Sequence, residues 1–153
     1  MISAVPCDSE EARRLLAALD EDLLRRYPAD AVHGLHPVEW DDPGLTFLVA
    51  RVDGRAAGCG ALRRLEPAVG EIKRMFVLPE FRGRGIARQI LAALESEARK
   101  AGHARVRLET GTRQPEAIAL YRSAGYFEIP AFGEYVGNRF SVCFEKSLAP
   151  PGR

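Results

Sequence analysis

EIKRMFVLPEFRGRGIARQILAALESEARKA, residues 71–101, is the stretch whose reading decides the fold. Its first eight residues form an apolar run with charges set into it, and Pro79 closes that run as a strand. Alternation places Glu71, Lys73, Met75 and Val77 on one face and Ile72, Arg74, Phe76 and Leu78 on the other, a pattern that only a bulge would reset. After a turn rich in arginine and glycine, residues 85–101 repeat with helical period. Ile86, Ile90, Leu91, Leu94 and Ala98 make the inward stripe, while Gln89, Glu95, Arg99 and Lys100 are expected to face water. Gly102 ends the helix.

The turn between strand and helix has the parts of an anion site. A helix N-terminus presents unpaired backbone N–H groups and a partial positive charge. Gly83 can take a positive φ, Gly85 lets a ligand approach the backbone, and Ala87 keeps the first helical turn slim. Arg82, Arg84 and Arg88 add donors suited to phosphate oxygens. A P-loop would end in Gly-Lys-Ser/Thr, and Gly85-Ile86-Ala87 excludes it. A dinucleotide fingerprint matches Gly83 and Gly85 but meets Arg88 where its third small residue belongs. Glu109 mimics the acidic ribose ligand of such a site, so a nicotinamide dinucleotide stays open as an alternative. The antiparallel strands upstream weigh against it, because a dinucleotide fold opens with this unit.

Working outward, residues 46–51 (TFLVAR) and 56–65 (AAGCGALRRL) read as strands joined at Asp53-Gly54, a hairpin signal, and with the strand from residue 71 they form an antiparallel meander. Gly58 and Gly60 weaken the middle strand or admit another backbone closely. Residues 2–6 offer an opening strand. Asp8 or Ser9 then caps an amphipathic helix carrying Leu15, Leu16, Leu19, Leu23 and Leu24. Residues 28–44 lose all periodicity, leaving room for a short helix near residues 36–41 and for a substrate-facing loop. Beyond Gly102, residues 105–109 alternate as a strand with Val106 and Leu108 inward. Pro115 starts a helix that ends at Gly125. Residues 127–129 and 140–146 supply two more strands. This order argues for one α/β (α+β) domain over residues 1–148, a mixed sheet with helices on both faces, followed by a loose tail at 149–153.

Composition excludes several classes of function. The 153 residues carry 22 Lys+Arg against 21 Asp+Glu, a formal net charge of +1, so no global field marks a nucleic-acid or membrane-surface protein. No apolar run is long enough to span a bilayer. Cys7, Cys59 and Cys143 lack zinc-site spacing and read as reduced, buried thiols of a cytoplasmic protein. His33 and His36 read as loop residues, and no metal is required.

The run Val77-Leu78-Pro79-Glu80-Phe81-Arg82-Gly83-Arg84-Gly85-Ile86-Ala87 resembles the acyl-CoA-binding motif of the GNAT superfamily of N-acetyltransferases, V-x-P-x-x-R-G-x-G-[IV]-[GA]. Leu120-Tyr121-Arg122-Ser123-Ala124-Gly125-Tyr126 resembles its second motif, L-Y-x-x-x-G-F. The resemblance implies a splayed parallel strand pair, opening at Glu71 and Arg105, with the pantetheine of acetyl-CoA between them. It implies that Arg82, Gly83, Arg84, Gly85, Ile86 and Ala87 hold the pyrophosphate with Arg88 adjacent. Met75, Phe76 and Val77 are then expected to pair with pantetheine amides. Gln114 stands where the family often has a cofactor-contacting Asn. Tyr121 takes the general-acid position, and Glu71, acting through water, is the favoured base, with Glu109 as second candidate and solvent as a third route. Arg74, Glu134, Tyr135, Arg139 and residues 33–40 are candidates to line the acceptor site.

The function so implied is acetyl transfer to a primary amine of a small molecule or amino acid by direct attack. Acylation of a protein terminus or lysine is the alternative, and a CoA-binding sensor without turnover is a third. A homodimer is compatible with either enzymatic reading.

Overall fold

In the computed structural model, which describes residues 1–32 and 42–148, seven strands share one sheet in the order β1-β2-β3-β4-β5-β7-β6. The strands are β1 (Ile2–Ala4), β2 (Thr46–Val52), β3 (Arg55–Glu66), β4 (Val69–Val77), β5 (Arg105–Gly111), β6 (Phe127–Ile129) and β7 (Ser141–Ser147). The helices are α1 (Glu10–Arg26), α2 (Ile86–Lys100) and α3 (Pro115–Ser123). The short helix expected near residues 36–41, together with His33, His36 and Trp40, lies outside the described residues, as does the tail from residue 149.

Every pairing is antiparallel except β4 with β5. Asp53 and Gly54 both take positive φ between the paired residues Val52 and Arg55, the two-residue turn whose twist matches a hairpin. Strands β2 and β3 run between two helical layers, so they bury both faces and carry few charges in their centres. On one side Leu15, Leu16 and Leu19 of α1 meet Phe47, Val49, Cys59 and Phe76. On the other, Ile90, Leu91 and Leu94 of α2 meet Leu48, Leu62, Ile72 and Val106, and α3 adds Tyr121 against Tyr126 and Phe144. The side-chain oxygen of Ser9 caps α1 by accepting from the Ala12 N–H.

The structure departs from simple periodicity at two places, the first of which bears on the site. Cys59 pairs with Phe76 and Ala61 with Lys73, so Arg74 and Met75 together face Gly60. That is a β-bulge, with Arg74 at φ 60°. It breaks the expected alternation. Lys73 and Arg74 follow one another on the α1 face, Phe76 joins the α1 core, and Met75 and Val77 turn toward α2. Glu95 is the second departure. It is buried rather than solvated, because Tyr126 donates to one carboxylate oxygen at 2.8 Å and Lys146 to the other at 3.0 Å.

Candidate active site

Strands β4 and β5 pair only from Val69–Arg105 to Ile72–Leu108, and then they part. Beyond that point β4 continues to Val77 and β5 to Gly111, so the two strands open a wedge through the sheet. The bulge lies on the β4 side of this opening.

A cleft of about 340 Å³ fills the wide end. Met75, Phe76 and Val77 line one wall, Gln114, Ala117, Leu120 and Tyr121 the other, and Arg82, Gly83, Gly85, Ile86, Ala87 and Arg88 close its end. Gly83 and Gly85 take φ of 80° and 77°, the left-handed conformation that a Cβ would strain. Gly85 is the N-cap of α2, and its carbonyl accepts the first intrahelical bond, from Gln89. The N–H groups of Ile86, Ala87 and Arg88 therefore have no helical carbonyl to meet. No acidic side chain occupies that first turn. Arg82 is held by an Nε donation to the Val77 carbonyl at 2.9 Å, and Arg88 by an Nη2 donation to the Ser123 hydroxyl at 2.7 Å. Arg84 stacks over Phe81, with 5.5 Å from guanidinium carbon to ring centroid. Arg82 and Arg88 are thus pre-positioned at the helix end of the cleft.

A smaller pocket of about 90 Å³ continues from the cleft and shares Leu19, Met75, Gln114, Ala117 and Tyr121 with it. Its remaining walls are Leu23, Ile72, Lys73, Arg74, Glu109 and Thr110. Tyr121 stands where the two spaces join. Burial pushes its phenol well above the usual range, helped by the Glu109 carboxylate, so it keeps its proton through neutral pH. Gln114 is fixed by Tyr27, whose hydroxyl donates to its Oε1 at 3.2 Å and accepts from the Arg113 N–H at 3.0 Å. This contact needs Gly111, because a Cβ there would fall 1.9 Å from the Tyr27 oxygen.

The two candidate bases sit differently. Glu71 is 1% exposed. Its Oε1 accepts from Arg63 Nε at 2.7 Å and its Oε2 from the Tyr135 hydroxyl at 2.5 Å. Neither Glu71 nor Tyr135 lines the pocket wall, so the structure ties these two predicted site residues to each other rather than to this pocket. Burial raises the Tyr135 phenol, and the Glu71 carboxylate raises it further. Glu109 does line the pocket. Its Oε2 accepts from the Ser141 hydroxyl at 2.7 Å. Its pKa is pushed up to about 7, chiefly by burial and then by the Glu71 and Glu134 carboxylates, against the lowering effects of the Ser141 bond and Lys73. Arg139 lies elsewhere, stacked on Phe140.

Four residues of the larger cleft were not among the site residues expected from the sequence. Leu19, Asp22 and Arg26 come from α1, and Glu116 from α3, where Arg26 Nη1 donates to its Oε1 at 2.7 Å. Ser141 was likewise unmarked. Among the described residues no cluster of His, Cys, Asp and Glu is suited to a metal ion, and no helix is long and apolar enough to cross a membrane.

The sequence profile of the acetyltransferase (GNAT) family matches residues 14–126. The chain belongs to that family. Among its relatives, an IAA acetyltransferase of Azospirillum brasilense is 43% identical over 136 residues, covering 88% of this chain and 89% of the relative. An aminoalkylphosphonate N-acetyltransferase of Salmonella typhimurium is 36% identical over 90 residues, 56% of this chain and 58% of that one. A Klebsiella pneumoniae protein described as an acyl-CoA N-acyltransferase superposes with a TM-score of 0.82 at 36% identity, with 97% of each chain covered. The fold also recurs, at a TM-score of 0.71 and 16% identity over 96% of this chain and 97% of the other, in a GNAT acetyltransferase of Elizabethkingia anophelis with acetyl-CoA bound. For this GNAT acetyltransferase the wedge between β4 and β5 is thus the place to look for chemistry.

Proposed function

We propose that the protein transfers the acetyl group of acetyl-CoA to the primary amine of a small molecule by direct attack. The observation that carries this reading is the continuity of the two spaces at Tyr121. One end offers free helix N–H groups and arginines for a pyrophosphate, and the other offers a carboxylate for an amine. The small volume of the second pocket favours a compact acceptor over a folded protein surface.

In this reading the pyrophosphate rests on the amides from Gly83 to Ala87 with Arg82, Arg84 and Arg88 around it, and the pantetheine runs along Met75, Phe76 and Val77. An ammonium group entering the small pocket gives a proton to Glu109. The freed nitrogen lone pair attacks the thioester carbonyl carbon; the C–N bond forms, the C–S bond breaks, and the nitrogen releases its second proton to solvent as the amide forms. The leaving sulfur, as a thiolate of ordinary pKa ~8.5, takes its proton from the Tyr121 hydroxyl, which solvent then restores. Glu109 serves as the base in preference to Glu71, because both oxygens of Glu71 already accept strong hydrogen bonds. Glu71 instead anchors Tyr135 and adds negative charge beside Glu109.

The test is calorimetry with acetyl-CoA followed by a thiol-release assay across small amines. Micromolar binding and turnover are expected. Tyr121→Phe should lower kcat by about 100-fold with acetyl-CoA affinity unchanged. A variant with the wild-type rate would remove Tyr121 as the proton donor.

A further inference from the structure

The small pocket presents charges of both signs on opposite walls. Glu109 projects from β5, while Lys73 and Arg74 come from β4. An unbroken strand would send consecutive residues to opposite faces, and the bulge brings these two cations to the same one. The backbone conformation of Arg74, with φ 60°, is sparsely populated by residues other than glycine, and such strain is retained where something depends on it.

The guanidinium itself is incompletely used. Arg74 is 9% exposed, and its Nη2 donates to Asp20 at 2.6 Å and to the Leu16 carbonyl at 3.5 Å. Its Nη1 is buried with no hydrogen-bond partner. A buried donor on a charged group left without an acceptor is costly, and an oxyanion brought into the pocket would relieve that cost. Asp20 is half exposed and is not a wall of the pocket, so it shares the arginine without filling the space. Lys73, held by Glu134 at 3.2 Å, adds a second positive charge on the same wall.

We infer that the acceptor is an amine that carries its own oxyanion, a carboxylate or a phosphonate, with the amine directed to Glu109 and the anion to Arg74 beside Lys73. This inference rests on the acetyl-transfer reading above. It accounts for a pocket that would otherwise repel one half of its own lining, since a neutral amine satisfies Glu109 and leaves Arg74 Nη1 unpaired. An amine with an oxyanion satisfies both. A lysine side chain within a protein offers the amine with no oxyanion attached, and so does not match.

The wild-type enzyme tests this with matched acceptors. Short aminocarboxylates are compared with their carboxamides, and aminoalkylphosphonates with their uncharged dialkyl esters, by kcat/KM at saturating acetyl-CoA. The charged member of a pair should lead by about 10- to 100-fold, the value of a hydrogen bond to a charged group. The pair with the larger ratio identifies carboxylate or phosphonate as the preferred anion. Arg74→Met should raise KM for the charged member by a similar factor and so bring the charged-to-neutral ratio within each pair toward one, and Arg74→Lys should restore part of that ratio. Equal kcat/KM within both pairs, reaction of the neutral members alone, or no reaction of any member by an enzyme that binds acetyl-CoA overturns the inference. Separate calorimetry shows whether acetyl-CoA binds; if it does not, the parent reading fails instead.

Discussion

Two carboxylates on neighbouring parallel strands, Glu71 on β4 and Glu109 on β5, lie on the same face of the sheet, yet their surroundings set them to opposite tasks. Glu71 sits below the point where the strands part, pinned between Arg63 and Tyr135. Glu109 sits beyond it, bonded through one oxygen to the neutral Ser141 hydroxyl and lining the small pocket. A carboxylate whose two oxygens already accept from a cation and a phenol has neither oxygen turned to a substrate. One that is buried, close to other carboxylates and bonded to a neutral hydroxyl takes up a proton near neutrality. Position in the wedge, rather than residue type, separates structural anion from candidate base.

The largest expected effect lies on the Glu109 side. Glu109→Gln should lower kcat by about 10²- to 10⁴-fold while leaving acetyl-CoA affinity intact. In the wild type kcat/KM should rise with pH through about 7, as Glu109 loses its proton, and this limb should vanish in the variant. Tyr121 stays protonated well past that range, so no falling limb from it is expected near neutrality. A rising limb that survives in Glu109→Gln would assign the base elsewhere and return Glu71, or solvent, to consideration.

Next in size is the converse experiment. Glu71→Gln removes the negative partner of Arg63 and replaces one of the two oxygens that accept from Arg63 and Tyr135 with an NH2 donor. Breaking a buried pair costs several kcal/mol, and Arg63 retains some contact with solvent, so a loss of about 2–3 kcal/mol in unfolding free energy is expected. Denaturant unfolding measures it. The per-molecule kcat of the folded fraction should fall less than tenfold, whereas a loss matching that of Glu109→Gln would erase the contrast between the two sites.

The two ends of the wedge also differ in how far they could be read from sequence. The end proposed to hold the pyrophosphate is encoded locally. Gly83, Gly85 and the arginines stand within a few residues of one another, and the constraints they answer, positive φ and free helix amides, belong to the backbone of that segment. The outer architecture was legible for the same reason: the Asp53-Gly54 turn, the stripe of α2 and Pro115 at the start of α3 each act over a few residues. The acceptor end depends on groups that meet only in the folded chain. Arg63 arrives from β3, Tyr135 from the turn before β7, and Ser141 from β7 itself, so nothing near Glu71 or Glu109 announced which would be neutralised and which raised. Glu95 misled for the same reason, since Tyr126 and Lys146 reach it from far along the chain. The bulge was half signalled. Gly60, noted as a site of close approach, faces it, and a Cβ there would fall 2.8 Å from Met75 Sδ. Its consequence, two adjacent cations on one face, required the register.

The smallest predicted effect is on stability, and it has a defined sign. The folded-state pKa of Glu109, about 7, lies above the ordinary glutamate value of ~4.3. Between those values the folded protein holds a proton that the unfolded chain has released, so stability falls as pH rises through this window and levels off above pH 7. A glutamine cannot ionise and escapes this loss. Glu109→Gln should therefore be more stable than the wild type at pH 8, and its advantage at pH 8 should exceed that at pH 5 by about 2 kcal/mol, given ~1.4 kcal/mol per pKa unit and a discount for partial solvent contact. Urea unfolding at the two pH values measures the difference. A pH-independent gap would mean that Glu109 is ionised in the folded protein at both, and would remove the proton uptake near neutrality on which its role as base depends.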